Sequence, residues 1–191
     1  MEPPGDEGDP WAGVATAHGF AADELVSTLQ KSIRRGLLEN ALTVAYELYC
    51  SSPELEEYLW RRLEVIAVED VGFGRIDAPA IVDALSRMRE RVPRPRGDRF
   101  LFAAHAVRLL ATSVKDRTSD ELANWAALSV ESGERLPEVP DVALDMHTRR
   151  GRELGRGLEH FLREGALVEN ELPDRDLTYR EWLLRRATES S

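Results

Sequence analysis

The spacing of apolar residues constrains this 191-residue chain more than any other feature. From Asp23, apolar residues such as Leu25, Leu29 and Ile33 recur at steps of three and four until Gly36. Such spacing places them on one face of a helix. Further segments with the same spacing follow, separated by breaks, to the end of the chain. No stretch sustains the alternation of apolar and polar residues that marks a half-buried strand. The sequence therefore predicts an all-α fold, a compact bundle of about seven to eight helices.

Glycine and proline breaks set the predicted helix boundaries. Ser52 can cap a helix that has Pro53 at its first position. The segment "RFLFAAHAVRLLATSV" is apolar around most of its circumference, which predicts the centre of the core, with His105 as a core histidine. The predicted helical segments are 23–35, 39–51, 53–70, 78–91, 99–114, 118–132, two short pieces near Gly155 and Gly157, and 179–189.

The chain divides by composition into a leader and a body. Residues 1–20 are acidic and rich in proline and glycine, with little to bury, and predict a flexible leader. Residues 21–191 predict a single helical domain, a size typical of one compact domain.

The charge and composition exclude several classes of protein. A formal net charge of −10 opposes tight binding to a phosphate backbone, so direct nucleic-acid binding is expected to be weak or absent. No apolar run approaches the ~20 residues of a membrane span, and no secretory signal begins the chain, so we predict a cytoplasmic protein without membrane contact. The single cysteine, Cys50, lies in an apolar pattern and predicts a buried structural thiol.

Sequence signatures of common enzymes are missing. The segment "QKSIRR" has a lysine and a serine but no preceding glycines, so it cannot cradle nucleotide phosphates as a P-loop does. No HExxH, CxxC or GxSxG pattern occurs. These absences favour a non-enzymatic protein with no cofactor, without deciding the question.

Three stretches together resemble a known family. They are "LQKSIRRGLLENALTVAYELY", "EEYLWRRLEVIAVEDVGFGRIDAPA" and "VPDVALDMHTRRGRELGRG". Over residues 22–165 the chain resembles the C-terminal region of the RarA/MgsA replication-associated recombination ATPases, which are AAA+ proteins. The part of the resemblance that is most specific to this family consists of Arg61, Arg62, Glu69, Asp70 and Gly72.

The resemblance implies a fold and a habit of assembly. Members of this family act at stalled replication forks. Their C-terminal region is a clamp-loader-like helical collar that joins copies into a tetramer. The AAA+ motor that precedes the collar is absent from this sequence. We therefore expect the collar fold and self-association to carry over, and ATP hydrolysis not to.

Arg62, Glu69 and Asp70 form the first candidate site. Charge pairs there could tie down a helix end, with Gly72 permitting a left-handed turn. The same polar cluster could instead bind an anionic ligand or a partner.

The segment "DMHTRRGRELGRGLEHF" holds the second candidate site. Asp145, His147 and His160 are the residue types that bind first-row metals, and two short helices that fold back on each other could bring them together. The histidines are not spaced four apart on a helix, as a compact zinc motif requires.

The arginines of this segment offer a different chemistry. Arg149, Arg152 and Arg156 would line one face of a helix, and Gly157 would leave amides exposed at the start of the next. They could bind a phosphate or another anion, or pair with the chain's many carboxylates.

Two functions from different classes follow. The first is a non-enzymatic module that forms a homo-oligomer, a dimer or a tetramer, with replication or repair proteins as partners. The alternative is a small enzyme or ligand-binding protein with a divalent metal or a phosphate group held around Asp145, His147 and His160 with Arg149 and Arg152.

Overall fold

The computed structural model describes residue 11, residues 13–95 and residues 97–189. The chain groups into two compact units, residues 1–131 and residues 132–191, which are described separately. The prediction of a single domain over 21–191 stays a prediction. Residues 1–10 and 12, which make up most of the predicted leader, lie outside the described residues.

The described part of the chain is helical, with no strand and only an isolated bridge between Ala15 and Ala21. The all-α prediction is confirmed, and nine α-helices in the described residues slightly exceed the predicted number. The first unit contains α1 (Ala22–Arg34), α2 (Leu38–Ser51), α3 (Pro53–Ile66), α4 (Ala78–Arg89), α5 (Gly97–Thr112) and α6 (Thr118–Glu131). The second contains α7 (Arg149–Glu153), α8 (Leu158–His160) and α9 (Thr178–Glu189).

The core of the first unit lies where α1, α2, α3, α4 and α5 meet. Its largest fully buried apolar side chains include Leu29, Leu48, Leu63 and Leu110, which belong to four different helices. The predicted cap of α3 is present, since the Leu55 amide donates to the Ser52 hydroxyl at 3.1 Å. The sequence pattern thus located both the helix boundary and the buried face.

Two residues predicted to be buried are exposed. On α5, Ala103, Ala106 and Leu110 form the buried face, and His105 lies on the opposite side of the helix. Cys50 lies opposite the buried face of α2 in the same way. The predictions of a core histidine and a buried thiol are therefore wrong, because apolar neighbours in sequence do not fix the direction of a helical side chain.

Part of the predicted leader packs against the first unit. The Ala17 amide donates to the Ser51 hydroxyl at 2.9 Å, and the Thr16 amide donates to the Phe20 carbonyl oxygen at 2.8 Å. The Trp11 ring stacks on Tyr58 with the centroids 4.9 Å apart. Residues 13–20 are therefore held as a turn against α2.

Helix α3 does not stop where its regular turns end. It continues as a π-helical turn, Ala67–Val71, and then as a 3-10 turn, Gly72–Arg75. The Asp116 amide donates to the Asp70 carbonyl oxygen at 3.1 Å, which brings the segment before α6 against the π-helical turn. Gly72 has a φ of +48° and touches the Asp116 backbone, so only glycine fits there without strain.

The second unit is built from short helices. The Thr148 hydroxyl caps α7 by accepting from the Gly151 amide at 3.0 Å, and α8 continues into a π-helical turn, Phe161–Gly165. Gly151 lies directly against the Asp145 backbone. No helix among the described residues of either unit is long and apolar enough to cross a membrane.

The close approach at Gly72 yields a stability prediction. Gly72→Ala should lower the free energy of unfolding by about 2 to 3 kcal/mol, because it combines an unfavourable φ with overlap on the Asp116 carbonyl. Gly97→Ala is the control, since a Cβ there meets nothing within 4 Å. Denaturant unfolding checks both variants, and equal losses would contradict the packing described here.

Candidate functional site

The Asp70 carboxylate is buried in the first unit and surrounded by donors. Its relative exposure is 0%, and it accepts from Arg34 Nε at 2.5 Å, Arg117 Nη1 at 2.7 Å and Gln30 Nε2 at 3.0 Å. These donors come from α1 and from the segment that leads into α6. One buried carboxylate therefore ties α1 and the start of α6 to the π-helical turn.

Glu69 extends the same network toward the surface. Its carboxylate accepts from Arg34 Nη2 at 2.9 Å and Arg117 Nη1 at 3.1 Å, and Arg117 also pairs with Asp120 in the first turn of α6. The π-helical turn explains why adjacent carboxylates share the same arginines, because the wider turn changes the direction of side chains relative to a regular helix.

Of the three residues predicted for this site, Glu69 and Asp70 are linked because both accept hydrogen bonds from Arg34 and Arg117. Among the described residues Arg62 does not pair with either carboxylate, and its Nη1 donates to the Gln30 side-chain oxygen at 3.4 Å. The sequence interpretation missed Gln30, Arg34 and Arg117. Arg34 belongs to the "KSIRR" stretch of the resemblance, whereas nothing in the spacing of Arg117, 47 residues after Asp70, could have indicated the pair.

The ionisation of Asp70 reflects two opposing effects. Burial by itself would raise the pKa of the Asp70 carboxyl, but the hydrogen bonds from Arg34, Gln30 and Arg117 outweigh it, so the pKa lies below its ordinary value. The carboxylate is therefore charged at neutral pH and holds both arginines in fixed positions.

A groove runs beside this network, between α3 and the start of α6. It has a volume of about 610 Å³. Val65, Val68 and Ala123 give it an apolar surface, and Arg61, Glu64 and Asp120 stand at its sides. Val65 and Val68 are 44% and 52% exposed, so the apolar surface is open to solvent.

A second buried carboxylate, Glu56, escaped the sequence interpretation altogether. It accepts from Arg99 Nε at 2.8 Å, lies 3.1 Å from Arg89 Nη1 and pairs with Arg94. Arg99 also donates to the Arg89 and Val92 carbonyl oxygens. The cluster fixes the loop between α4 and α5 to α3, and its cations face the protein interior, so it acts as a structural support.

In the second unit the structure brings Asp145 and His147 together. His147 Nδ1 lies 3.1 Å from Asp145 Oδ2, and the His147 amide donates to Asp145 Oδ1 at 2.9 Å. The His147 amide and then its ring lower the pKa of the Asp145 carboxyl. His160 Nδ1 is buried without a hydrogen-bond partner among the described residues.

A metal centre gains no support from this geometry. The described residues contain no group of three or more histidine, cysteine, aspartate and glutamate side chains placed to hold a metal ion. The site of Asp145, His147 and His160, with its divalent metal, stays a prediction.

The predicted arginine face is only partly present. Helix α7 ends at Glu153 and Gly155 adopts a φ of +72°, so the prediction that Arg156 shares a helical face with Arg149 and Arg152 is wrong. Arg156 instead donates to both carboxylate oxygens of Asp141, at 2.7 and 2.8 Å.

The other two arginines of this predicted anion site also contact groups within the protein. Arg152 donates to the Met146 carbonyl oxygen at 3.1 Å, and Arg149 lies 3.7 Å from Glu153. Gly157 lies at the start of α8, which continues into the π-helical turn Phe161–Gly165. Anion binding here stays a prediction.

Comparison with known proteins identifies the family. Residues 51–181 match the family described as MgsA AAA+ ATPase C terminal, and they include the π-helical turn with its buried Asp70. The chain belongs to the MgsA C-terminal family. The resemblance expected from "RRLEVIAVEDVG" is thereby confirmed.

One known protein is similar to most of this chain. The chain is 32% identical over 161 residues to the replication-associated recombination protein A of Bacillus subtilis (strain 168). The alignment covers 82% of this chain and 37% of the relative. The chain thus spans little more than a third of the length of the relative it matches.

The burial of Asp70 predicts a pH-dependent loss of stability. Asp70→Asn should cost about 3 kcal/mol at neutral pH, the scale of breaking a buried ion pair. Because the folded pKa is below the ordinary value of 3.8, this contribution is complete above pH 3.8 and disappears as the pH falls through the folded pKa. Unfolding of both proteins as a function of pH measures the difference.

The control is Asp77→Asn, whose carboxylate pairs with Arg75 at 2.9 Å on the surface. It should cost less than ~1 kcal/mol, as exposed pairs do. An Asp70→Asn effect as small as that of the control, or one that grows at low pH, would contradict the network.

Proposed function

We propose that this chain is a non-enzymatic helical module that joins copies of itself, as a dimer or a tetramer, through the apolar surface of α6 and the adjacent groove. The observation that carries the proposal is the exposure of α6. Of its fourteen residues, all within the described part of the chain, only Ser129 is buried. Leu122, Leu128 and Val130 are 57%, 67% and 49% exposed.

The exposure of its apolar side chains to water lowers the stability of an isolated helix such as α6. A helix of 14 residues is marginal in water without packing of its apolar side chains. Val65 and Val68 lie beside Ala123 of α6 as an exposed apolar patch, and such patches mark surfaces where proteins associate. Burial of α6 against another copy would remove this apolar surface from water.

The groove between α3 and α6 supplies the receptor surface. Val65, Val68 and Ala123 line a channel between two helices, the shape that accepts a third helix. Because the same patch carries both an exposed helix and an open groove, two copies related by a twofold axis could each offer a helix to the other's groove.

The Asp70 network supports this role by fixing the surface before association. Arg117 connects Asp70 to Asp120, so the first turn of α6 is anchored to the buried carboxylate. A preformed surface loses less conformational entropy on binding than a mobile one.

The setting of this assembly is proposed from the relative. The Bacillus protein is named for replication-associated recombination, and we propose that this chain acts in the same process with replication or repair proteins in the cytoplasm. The alternative, a metal- or phosphate-binding enzyme around Asp145 and His147, stays a prediction without a contact that favours it.

The proposal predicts the effect of charges on α6. The double substitution Leu122→Glu and Leu128→Glu should convert the assembly to a monomer, because two carboxylates would have to be desolvated at the interface. Light scattering coupled to size-exclusion chromatography measures the mass of each species.

The control is Leu101→Glu, which places one added carboxylate on a 65% exposed leucine of α5. It should leave the mass unchanged. A double α6 variant with the same mass as the unmodified protein, with its circular dichroism intact, would overturn the proposed surface.

A further inference from the structure

A second cleft lies between α1 and α2, lined by residues distinct from those of the α6 surface. It has a volume of about 480 Å³, within the range of ligand-binding clefts. The turn formed by residues 16–20 closes one side, because the His18 amide and ring bind Glu47 on α2 at 2.9 and 2.6 Å. The cleft is therefore a formed feature of the first unit.

The floor of the cleft is apolar. Leu25 comes from α1, Val44 from α2 and Phe20 from the turn, and Phe20 is 54% exposed. An exposed aromatic ring beside aliphatic side chains suits the stem of a long side chain and can also attract a cation to its face.

The charged lining of the cleft is acidic. Glu24 and Glu47 line it, and an adjoining depression adds Asp23 beside Glu24. Glu24 has no ion-pair partner among the described residues, whereas Glu47 is paired with His18, which also lines the cleft. Among the described residues, no lysine or arginine lines either depression. Hydroxyl and amide groups complete the walls, from Thr28, Asn40 and Thr43.

The apolar floor and the acidic walls of the cleft together determine which kind of peptide segment could bind there. A neutral apolar helix would leave the unpaired Glu24 carboxylate desolvated, whereas an acidic one would be repelled. A segment that alternates lysine or arginine with apolar residues satisfies both surfaces. The net charge of −10 adds long-range attraction for such a segment.

We propose that the α1–α2 cleft binds a basic, amphipathic segment of a partner protein, with an apolar side chain on the floor and a cation beside Glu24 and Asp23. This inference goes beyond self-association, because it assigns a different surface and a different partner. The residues that line the cleft are separate from those that line the groove between α3 and α6.

The test uses a defined peptide probe and the 191-residue chain. A fluorescein-labelled peptide of about 12 residues, composed of leucine, alanine and lysine with leucine and lysine on one face, would span ~18 Å as a helix. Its partner probe carries glutamate in place of each lysine. Fluorescence anisotropy gives the dissociation constants, and the lysine probe should bind at least about tenfold tighter.

Two variants and one control locate the binding. Glu24→Arg removes and reverses a wall charge, and Thr43→Trp fills the cleft from an exposed position on α2. Each should weaken lysine-probe binding about tenfold or more. Glu54→Arg makes the same charge change in the first turn of α3, where Glu54 is exposed and lies outside the cleft, and should leave the affinity within about twofold.

The outcomes separate the inference from non-specific attraction and from the proposed function. Equal weakening by Glu24→Arg and Glu54→Arg, with no effect of Thr43→Trp, would mean only general attraction to an acidic protein and would overturn the cleft. So would equal binding of both probes. Light scattering on the same samples reports the oligomer independently, so loss of assembly and loss of peptide binding are distinguishable.

Discussion

The buried Asp70 carboxylate is the interaction on which the arrangement of the first unit depends. Desolvating a carboxylate is unfavourable unless cations and hydrogen bonds compensate it, and here two arginines and a glutamine do so. Those donors come from segments far apart in sequence. Because Asp70 needs all of them, α1, the π-helical turn and the start of α6 must lie together.

That constraint leads to the surfaces of the protein. Anchoring the first turn of α6 through Arg117 leaves the rest of the helix to present leucines to solvent. A helix held in this way is already positioned to pack against another copy, and we propose self-association as the function of its exposed apolar residues. The acidic cleft between α1 and α2 offers a chemically different surface for a partner.

The sequence revealed the helices more fully than the site. Apolar periodicity and caps such as Ser52 are local signals, so the fold class and most helix boundaries could be predicted. The direction of His105 and Cys50 could not, because both have apolar neighbours in sequence but lie opposite the buried face of their helices.

The candidate site was predictable only in part. Glu69 and Asp70 stood out in "RRLEVIAVEDVG", but their partners depend on tertiary contacts that spacing does not encode. The Glu56 cluster was missed for the same reason, since its arginines lie more than 30 residues away and resemble ordinary surface charges. Arg156 was predicted to share a helix with Arg149 and Arg152. In the structure that helix ends before Gly155, which has a positive φ, and Arg156 binds Asp141 instead.

Sedimentation equilibrium of the unmodified protein over a wide concentration range tests the central claim most directly. The account predicts a mass that rises with concentration to a whole-number multiple of the mass of one chain, because association follows mass action. The mass of a single chain at every concentration would contradict it.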